Sequence, residues 1–408
     1  MANGEVRAWV AIPNEIVMKS HIAIRHGTKV SVESGQLKLF CPGPVLTSPR
    51  VRHAMSRADI AHRDGAFVEL LDRVRARLKG VASAPEHEAL VLGGGGTAAT
   101  EAAFATFIAP EERLLVVSNG AFGERMAEIA VALGIPVSHL RYDWGERVVL
   151  EQITGMLEGD SRIRAVAMVH HETSVGRLNP VVEVGRLLAP RRIRFLVDVV
   201  SSLGAEEFDT VRARASVVIG SANKCLHSVA GVGFVLVKHD LWEDTEHVRP
   251  RSMYLDLRRY RVAAKESGQT PFTPPVSAIA ALDEALAELE DQGGPSVRRK
   301  SYQSLHQQIR DGLKTIGFKL RFETPGNACS LSVAQLPPGM TFDAFYAGMR
   351  DRGFLVYRGK GPISHDTFLV ANMGHLDSAM VDDFLEAVAE VSGLAPRETP
   401  LRARQLPA

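Results

Sequence analysis

Short apolar, β-rich runs alternate with helically spaced segments between about residues 89 and 240. The apolar runs cover residues 89–92, 113–118, 165–169, 194–200, 216–220 and 233–237. Segments of helical spacing lie between them, among them 97–108, 123–133 and 181–188. Such alternation predicts parallel strands with helices on both faces, because parallel neighbours need a crossover between them. Ligands of such sheets bind beyond the carboxyl ends of the strands. A long helical pattern over residues 276–292 closes on Gly293-Gly294-Pro295, which marks a domain boundary. Beyond it a helix begins near 297, followed by a strand near 330–333 and a helix near 342–352. Strands near 354–357 and 368–371 and a helix over 376–392 complete a small α+β unit. The expected division is an N-terminal extension (1–36), a large domain (37–294), a small domain (295–394) and a disordered tail (395–408).

Length and composition narrow the class. A chain of 408 residues exceeds one ordinary core, so a large and a small domain are expected. An apolar share of 45% and a charged share of 23% are those of a soluble globular protein. A net charge of +1 gives no electrostatic case for nucleic acid or an anionic membrane. Cys41, Cys225 and Cys329 have no metal spacing and cannot all pair, which suits a reducing cytoplasm. No apolar run reaches a membrane span, and Glu5, Arg7, Glu15 and Lys19 interrupt the first residues as no secretory signal does. Adjacent His170 and His171 would point to opposite faces of a strand, so no metal is expected.

The chemistry gathers at the ends of the apolar runs. Phe195-Leu196-Val197 ends on Asp198, and Ser216-Val217-Val218-Ile219 leads to Gly220-Ser221-Ala222-Asn223-Lys224. Positions 198 and 224 lie 26 residues apart, room for one short crossover between neighbouring strands. A strand that delivers an aspartate and a later one that delivers a lysine suit pyridoxal phosphate. The lysine forms a Schiff base with its aldehyde, and the aspartate keeps its pyridine nitrogen protonated so that the ring accepts electrons. Gly93-Gly94-Gly95-Gly96-Thr97 follows a strand and opens a helix, where backbone amides and the helix end favour an anion. No Gly-Lys-Ser/Thr follows, so the turn is not a triphosphate loop. Taken alone it is equally a flexible loop; beside Asp198 and Lys224 it reads as a phosphate cup.

Together these residues resemble the fold-type I pyridoxal phosphate enzymes of the class V aminotransferase family, and within it the 2-aminoethylphosphonate–pyruvate transaminase subgroup. The resemblance runs from about residue 37 to 392. It is carried by Pro42-Gly43-Pro44 with Thr47-Ser48, Gly96-Thr97 with Glu101-Ala102, and the stretch from Asn119 to Arg125. His170-His171-Glu172-Thr173 with Gly176 and Leu178-Asn179-Pro180, Val197-Asp198 with Ser201-Ser202, and Tyr357 with Gly359-Lys360 also match. Ser221-Ala222-Asn223-Lys224-Cys225 and Tyr254-Leu255-Asp256-Leu257 are the stretches most specific to the subgroup. The resemblance implies an α/β fold with a mostly parallel seven-stranded sheet. It implies a Schiff base on Lys224, Asp198 at the pyridinium nitrogen, and Gly95, Gly96 and Thr97, helped by Asn223, on the cofactor phosphate. Phe122 would stack on the ring and Thr173 would donate to the phenolic oxygen. Thr273 would reach the phosphate from a partner subunit, making the enzyme a homodimer. Its substrates would be a small amino donor, an aminophosphonate or amino acid, and a 2-oxo acid.

One departure bears on substrate. The family's Phe-Arg-Ile-Gly-Asn-x-Gly carries the arginine that grips the substrate's carboxylate or phosphonate, and here Phe368 is followed by Leu369. A charge-assisted pair contributes about 1.5–3 kcal/mol, so another cation is expected to take over or the substrate lacks an anion there. Arg358 is the first candidate and Arg63 the second. The missing arginine also leaves open a lyase, decarboxylase or aldol-type reaction on the same fold. A binding protein that merely retains the fold is the third reading, and intact Lys224 and Asp198 argue against it.

Overall fold

The computed structural model describes residues 37–323 and 326–394; the expected N-terminal extension and C-terminal tail lie outside the described residues. A seven-stranded sheet forms the centre. We label its strands β1 (His87–Gly93), β2 (Arg113–Ser118), β3 (Val137–Arg141), β4 (Ile163–Val169), β5 (Arg194–Asp198), β6 (Val217–Ser221) and β7 (Val232–Lys238). Their spatial order is β1-β7-β6-β5-β4-β2-β3. Only β7 runs against the others, pairing antiparallel with both β1 and β6. The fold is therefore the expected α/β class, with a mostly parallel central sheet flanked by helices.

Period-two alternation explains why the central strands read as unbroken apolar runs. Leu115, Val117, Val166, Met168, Phe195 and Val197 face one core. Their neighbours Leu114, Val116, Ala165, Ala167 and Leu196 face a second core on the other side of the sheet. Helices Gly65–Val81 and Val276–Asp291 cover the first core. Helices α1 (Gly96–Phe107) and α2 (Ala121–Ala132) cover the second. Alanines at 99, 102 and 103 let α1 lie close over the sheet, where a Cβ on Gly233 would stand 2.9 Å from the Gly95 carbonyl. Strand β3 had no expectation in the sequence, because this edge strand is only half-buried and mixes Val137, Ser138 and His139 without a clean apolar run.

Four antiparallel strands build the C-terminal layer: β8 (Lys319–Arg321), β9 (Leu331–Gln335), β10 (Tyr357–Arg358) and β11 (Thr367–Ala371), in the order β8-β9-β11-β10. Helices Pro295–Ile316, Phe342–Asp351 and Ser378–Ser392 pack on one face of it, around Phe345, Phe368 and Phe384. The opposite face carries Leu331, Val333, Leu369 and Ala371, and clusters with Cys225, the neighbour of Lys224. The N-terminal end of the described chain joins this layer too. Lys38–Leu39 pairs in parallel with Phe354–Leu355, and Phe40 stacks on Phe384 with ring centroids 4.2 Å apart.

That stack, edged by Phe354 at 5.7 Å from Phe384, ties the first and last described elements together in one core. Phe384→Ala should cost about 3–5 kcal/mol. Urea unfolding followed by circular dichroism measures this, and a loss below about 1 kcal/mol would show that the ring is not a keystone of the layer.

Candidate active site

Because six of the strands run the same way, their carboxyl ends reach one edge of the sheet. Gly93 leads from β1 into the glycine turn, Ser118 from β2 toward Phe122, Val169 from β4 toward Thr173, and Ser221 from β6 toward Lys224. Strand β5 ends on Asp198 itself, and β5 and β6 are parallel neighbours with Asp198 opposite Ile219. The sequence spacing of 198 and 224 thus matches adjacent strands. Lys224 lies in the connection from Ser221 to Val232, which reverses the chain directly rather than crossing over.

Lys224 is held tightly. Its Nζ donates to the Pro42 carbonyl, and a Cβ on Gly43 would sit 2.7 Å from its Cδ. Gly43 has φ +118°, so both its backbone and its bare α-carbon suit glycine. The Nζ stands 5.8 Å from the centre of the Phe122 ring. Burial, with the neighbouring Lys360 charge adding, brings the Lys224 amine down to about 8. Asp198 moves the other way. Burial first, and then the nearby Glu172, raise its carboxyl to about 7 against the Val200 amide, which donates to Oδ1 at 2.7 Å.

Glu172 fixes the aromatic ring. Helix α2 has Gly120 at its N-cap and no side-chain cap of its own. The buried Glu172 carboxylate caps it from another strand end, accepting from the amides of Phe122 at 3.1 Å and Gly123 at 3.0 Å and from the Ser174 hydroxyl. Gly120 leaves the necessary room, since a Cβ there would lie 2.5 Å from Glu172 Cγ. Behind the site, Thr173 Oγ1 meets Ser201 Oγ at 3.3 Å, and the Ser201 carbonyl accepts from His171 Nδ1 at 2.9 Å and Cys225 Sγ at 3.2 Å. Burial pushes His171 down to about 3 and His170 down to about 4, so both are neutral near pH 7. Among the described residues no cluster of His, Cys, Asp or Glu could hold a metal ion.

The structure brings together Lys224, Asp198, Phe122 and the glycine turn. Gly96 packs against Val200, where a Cβ would lie 2.6 Å from Val200 Cγ2, two residues beyond Asp198. Gly95 caps α1 without a side chain, and a Cβ on it would meet nothing within 4 Å, so open space adjoins the turn. Thr97 is exposed at that turn. Asn223 Oδ1 accepts from Ser221 Oγ at 2.6 Å. Thr273 is exposed and meets His62 Nε2 of its own chain at 3.4 Å.

The two arginines expected to replace the missing one are not brought in. Tyr357 pairs opposite Leu369 and Arg358 opposite Phe368. Tyr357 and Leu369 therefore share the face toward Cys225, while Arg358 takes the helix face. There it binds Asp343 at 2.6 Å and lies over the Phe342 ring. Arg63 is spent on the loop before Thr273, donating to Gln269 Oε1 at 2.7 Å and the Thr270 carbonyl at 2.9 Å. Leu369 itself is fully buried in an apolar wall. Sequence reasoning assigned no role to Pro42, Gly43 or Glu172, although all three lie in the matched stretches.

Residues 51–337 match the model of the aminotransferase class-V family. The chain belongs to this family. It is 33% identical over 356 residues to a 2-aminoethylphosphonate–pyruvate transaminase of Salmonella schwarzengrund, a match covering 86% of this chain and 96% of that protein. An alanine–glyoxylate aminotransferase from Nostoc superposes with a TM-score of 0.83 at 26% identity, covering 88% of this chain and 96% of its own. A ureidoglycine–glyoxylate aminotransferase from Bacillus subtilis, at 23% identity and a TM-score of 0.84 over 90% of this chain and 96% of its own, shares the fold. The enzyme is a pyridoxal phosphate-dependent aminotransferase, and its site suits that cofactor on two observations. Asp198 is a half-buried carboxylate lifted toward neutrality, with no salt bridge among the described residues, so a protonated ring nitrogen is the cation it lacks. The uncapped amides of α1 border open space of the kind a phosphate fills.

The raised Asp198 carboxyl has a measurable sign in protein freed of cofactor. Its folded-state value of about 7 exceeds the usual 3.8, so its contribution to stability is full below pH 4 and is lost as pH rises toward 7. Relative to wild type, Asp198→Asn should therefore gain thermal stability between pH 4 and 7 and level off above that window. Scanning fluorimetry across the range checks it; a wild-type-to-variant difference in Tm that stays constant with pH would contradict the raised carboxyl.

Proposed function

We propose that this aminotransferase moves the amino group of 2-aminoethylphosphonate, or a close aminophosphonate, to pyruvate, with Lys224 as the reactive amine and proton carrier. The observation that carries the reading is Lys224 itself: a half-buried amine with its charge weakened, beside the ring face of Phe122 and the carboxylate of Asp198. The 33% identical transaminase supports the substrate pair. When bound, pyridoxal phosphate supplies an aldehyde that takes up the amine and a ring that draws electrons from the adjacent carbon. An amine near pH-neutral pKa is both an acceptable base and an acceptable acid, so Lys224 Nζ can take a proton from the donor's carbon and return it at a neighbouring one. Asp198 anchors the ring nitrogen, Phe122 covers one face and Thr173 donates a hydrogen bond to the phenolic oxygen. Gly95, Gly96 and Thr97, with Asn223 beside them, receive the phosphate.

We also infer a cytoplasmic homodimer. Met253 and Tyr254 are 66% and 41% exposed, and Tyr254 stacks on Phe272 next to Thr273. An apolar rim beside a threonine expected to serve a second subunit favours a partner that covers it. No helix among the described residues is long and apolar enough to cross a membrane.

Borohydride reduction of the holoenzyme followed by peptide mapping should label Lys224, and Lys224→Arg should lower alanine formation from 2-aminoethylphosphonate and pyruvate by roughly 10²–10⁴-fold. A label elsewhere, or donor consumption without pyruvate, defeats the reading; the latter would indicate lyase chemistry. Light scattering should give twice the 44.3 kDa chain mass, falling toward a single chain in Met253→Asp. A wild-type protein of one chain mass would remove the dimer.

A further inference from the structure

Leu369 leaves the aminotransferase without its family's arginine on β11, yet positive charge still collects at the site. Arg125 lies on the first turns of α2, three residues after Phe122, so the two side chains share a helix face. Its guanidinium carbon stands 5.0 Å from the centre of the Phe122 ring. Lys360 arrives from the C-terminal layer just past β10, and its Nζ stands 4.4 Å from the same ring centre. The third cation on this ring is Lys224 at 5.8 Å. Trp144 closes the flank of the Lys360 segment, since a Cβ on Gly361 would lie 2.5 Å from its ring. The Trp144 indole donates to Glu124, which also pairs with Arg141.

Arg125 and Lys360 repel each other and are both half-buried. Neither has a carboxylate within salt-bridge distance among the described residues, whereas the partly buried Arg113 and Arg194 each have one. The acid whose charge reaches Lys360 is Glu172, and its oxygens are taken by the amides of Phe122 and Gly123 and by Ser174. Two like charges held together without a counter-ion are costly unless an anion joins them. Both share the Phe122 ring with Lys224, and the Lys360 charge reaches the Lys224 amine, so an anion held by them lies close to the amine that a donor must meet. We infer that Arg125 and Lys360 form the subsite for the substrate's anionic group, replacing the cation lost at Leu369, and that a doubly charged phosphonate suits it better than a carboxylate. This rests on the aminophosphonate reading above and deepens it.

Ethylphosphonate, which has no amine to react, tests the subsite by calorimetry on the holoenzyme, with propionate as the carboxylate counterpart. Wild type should bind ethylphosphonate at least tenfold more tightly than propionate. Arg125→Gln and Lys360→Gln should each weaken ethylphosphonate at least tenfold, whereas Arg125→Lys and Lys360→Arg should recover most of the loss. Cofactor retained per chain after dialysis should match wild type in all four. Unchanged binding in both glutamine variants, no binding to wild type, or cofactor lost in parallel with ethylphosphonate overturns the inference; the last would give these cations to the cofactor's own phosphate. If wild type binds ethylphosphonate through these residues but forms no alanine from 2-aminoethylphosphonate, the reaction reading fails and the subsite stands.

Discussion

Between Ser221 and Val232 the chain turns back on itself, and this one reversal governs the site. A crossover helix would have carried the residue after β6 away over a face of the sheet. Instead β7 returns antiparallel beside β6, and Lys224 stays at the carboxyl edge where β1, β2, β4 and β5 also end. There the amine meets the Pro42 carbonyl, the Phe122 ring and the field of Asp198. Confinement weakens its charge, and the same desolvation raises Asp198. The two shifts have one cause and opposite signs, because burial penalises whichever form is ionised.

Around that pair the structure uses carboxylates sparingly and for position. Glu172 is a buried acid whose task is to close the start of α2, so that Phe122 presents its ring at a fixed angle. Hydrogen bonds from amides satisfy the carboxylate and the carboxylate satisfies the helix end, an exchange that leaves no orphaned group on either side. The cations near Phe122 receive no such partner, and the contrast separates a structural charge from one kept for a ligand.

Much of this was legible in the order of residues. Both faces of β2, β4, β5 and β6 are buried, so these strands read as unbroken apolar runs, and Asp198 and Lys224 stand out because each ends such a run. Strand β3 was not legible, since an exposed edge asks little of its side chains. The placement of the two candidate arginines was not legible, for a deeper reason. Whether Arg358 faces the site depends on its register against Phe368, a pairing between strands that local sequence does not encode. Arg63 answers to a loop at residues 269–271 for the same reason. Arg125 lay in a matched motif, but its meaning depends on Lys360, which comes from another layer of the fold.

The segment from Phe40 to Leu46 threads between both layers. Phe40 accepts from the Ala371 amide, Pro42 holds Lys224, and Leu46 accepts from the His375 amide. Residues 40 and 46 are thereby clasped by ones synthesised more than about 300 positions later. The clasp on the segment that holds the amine cannot close until residues 371 and 375 have been made.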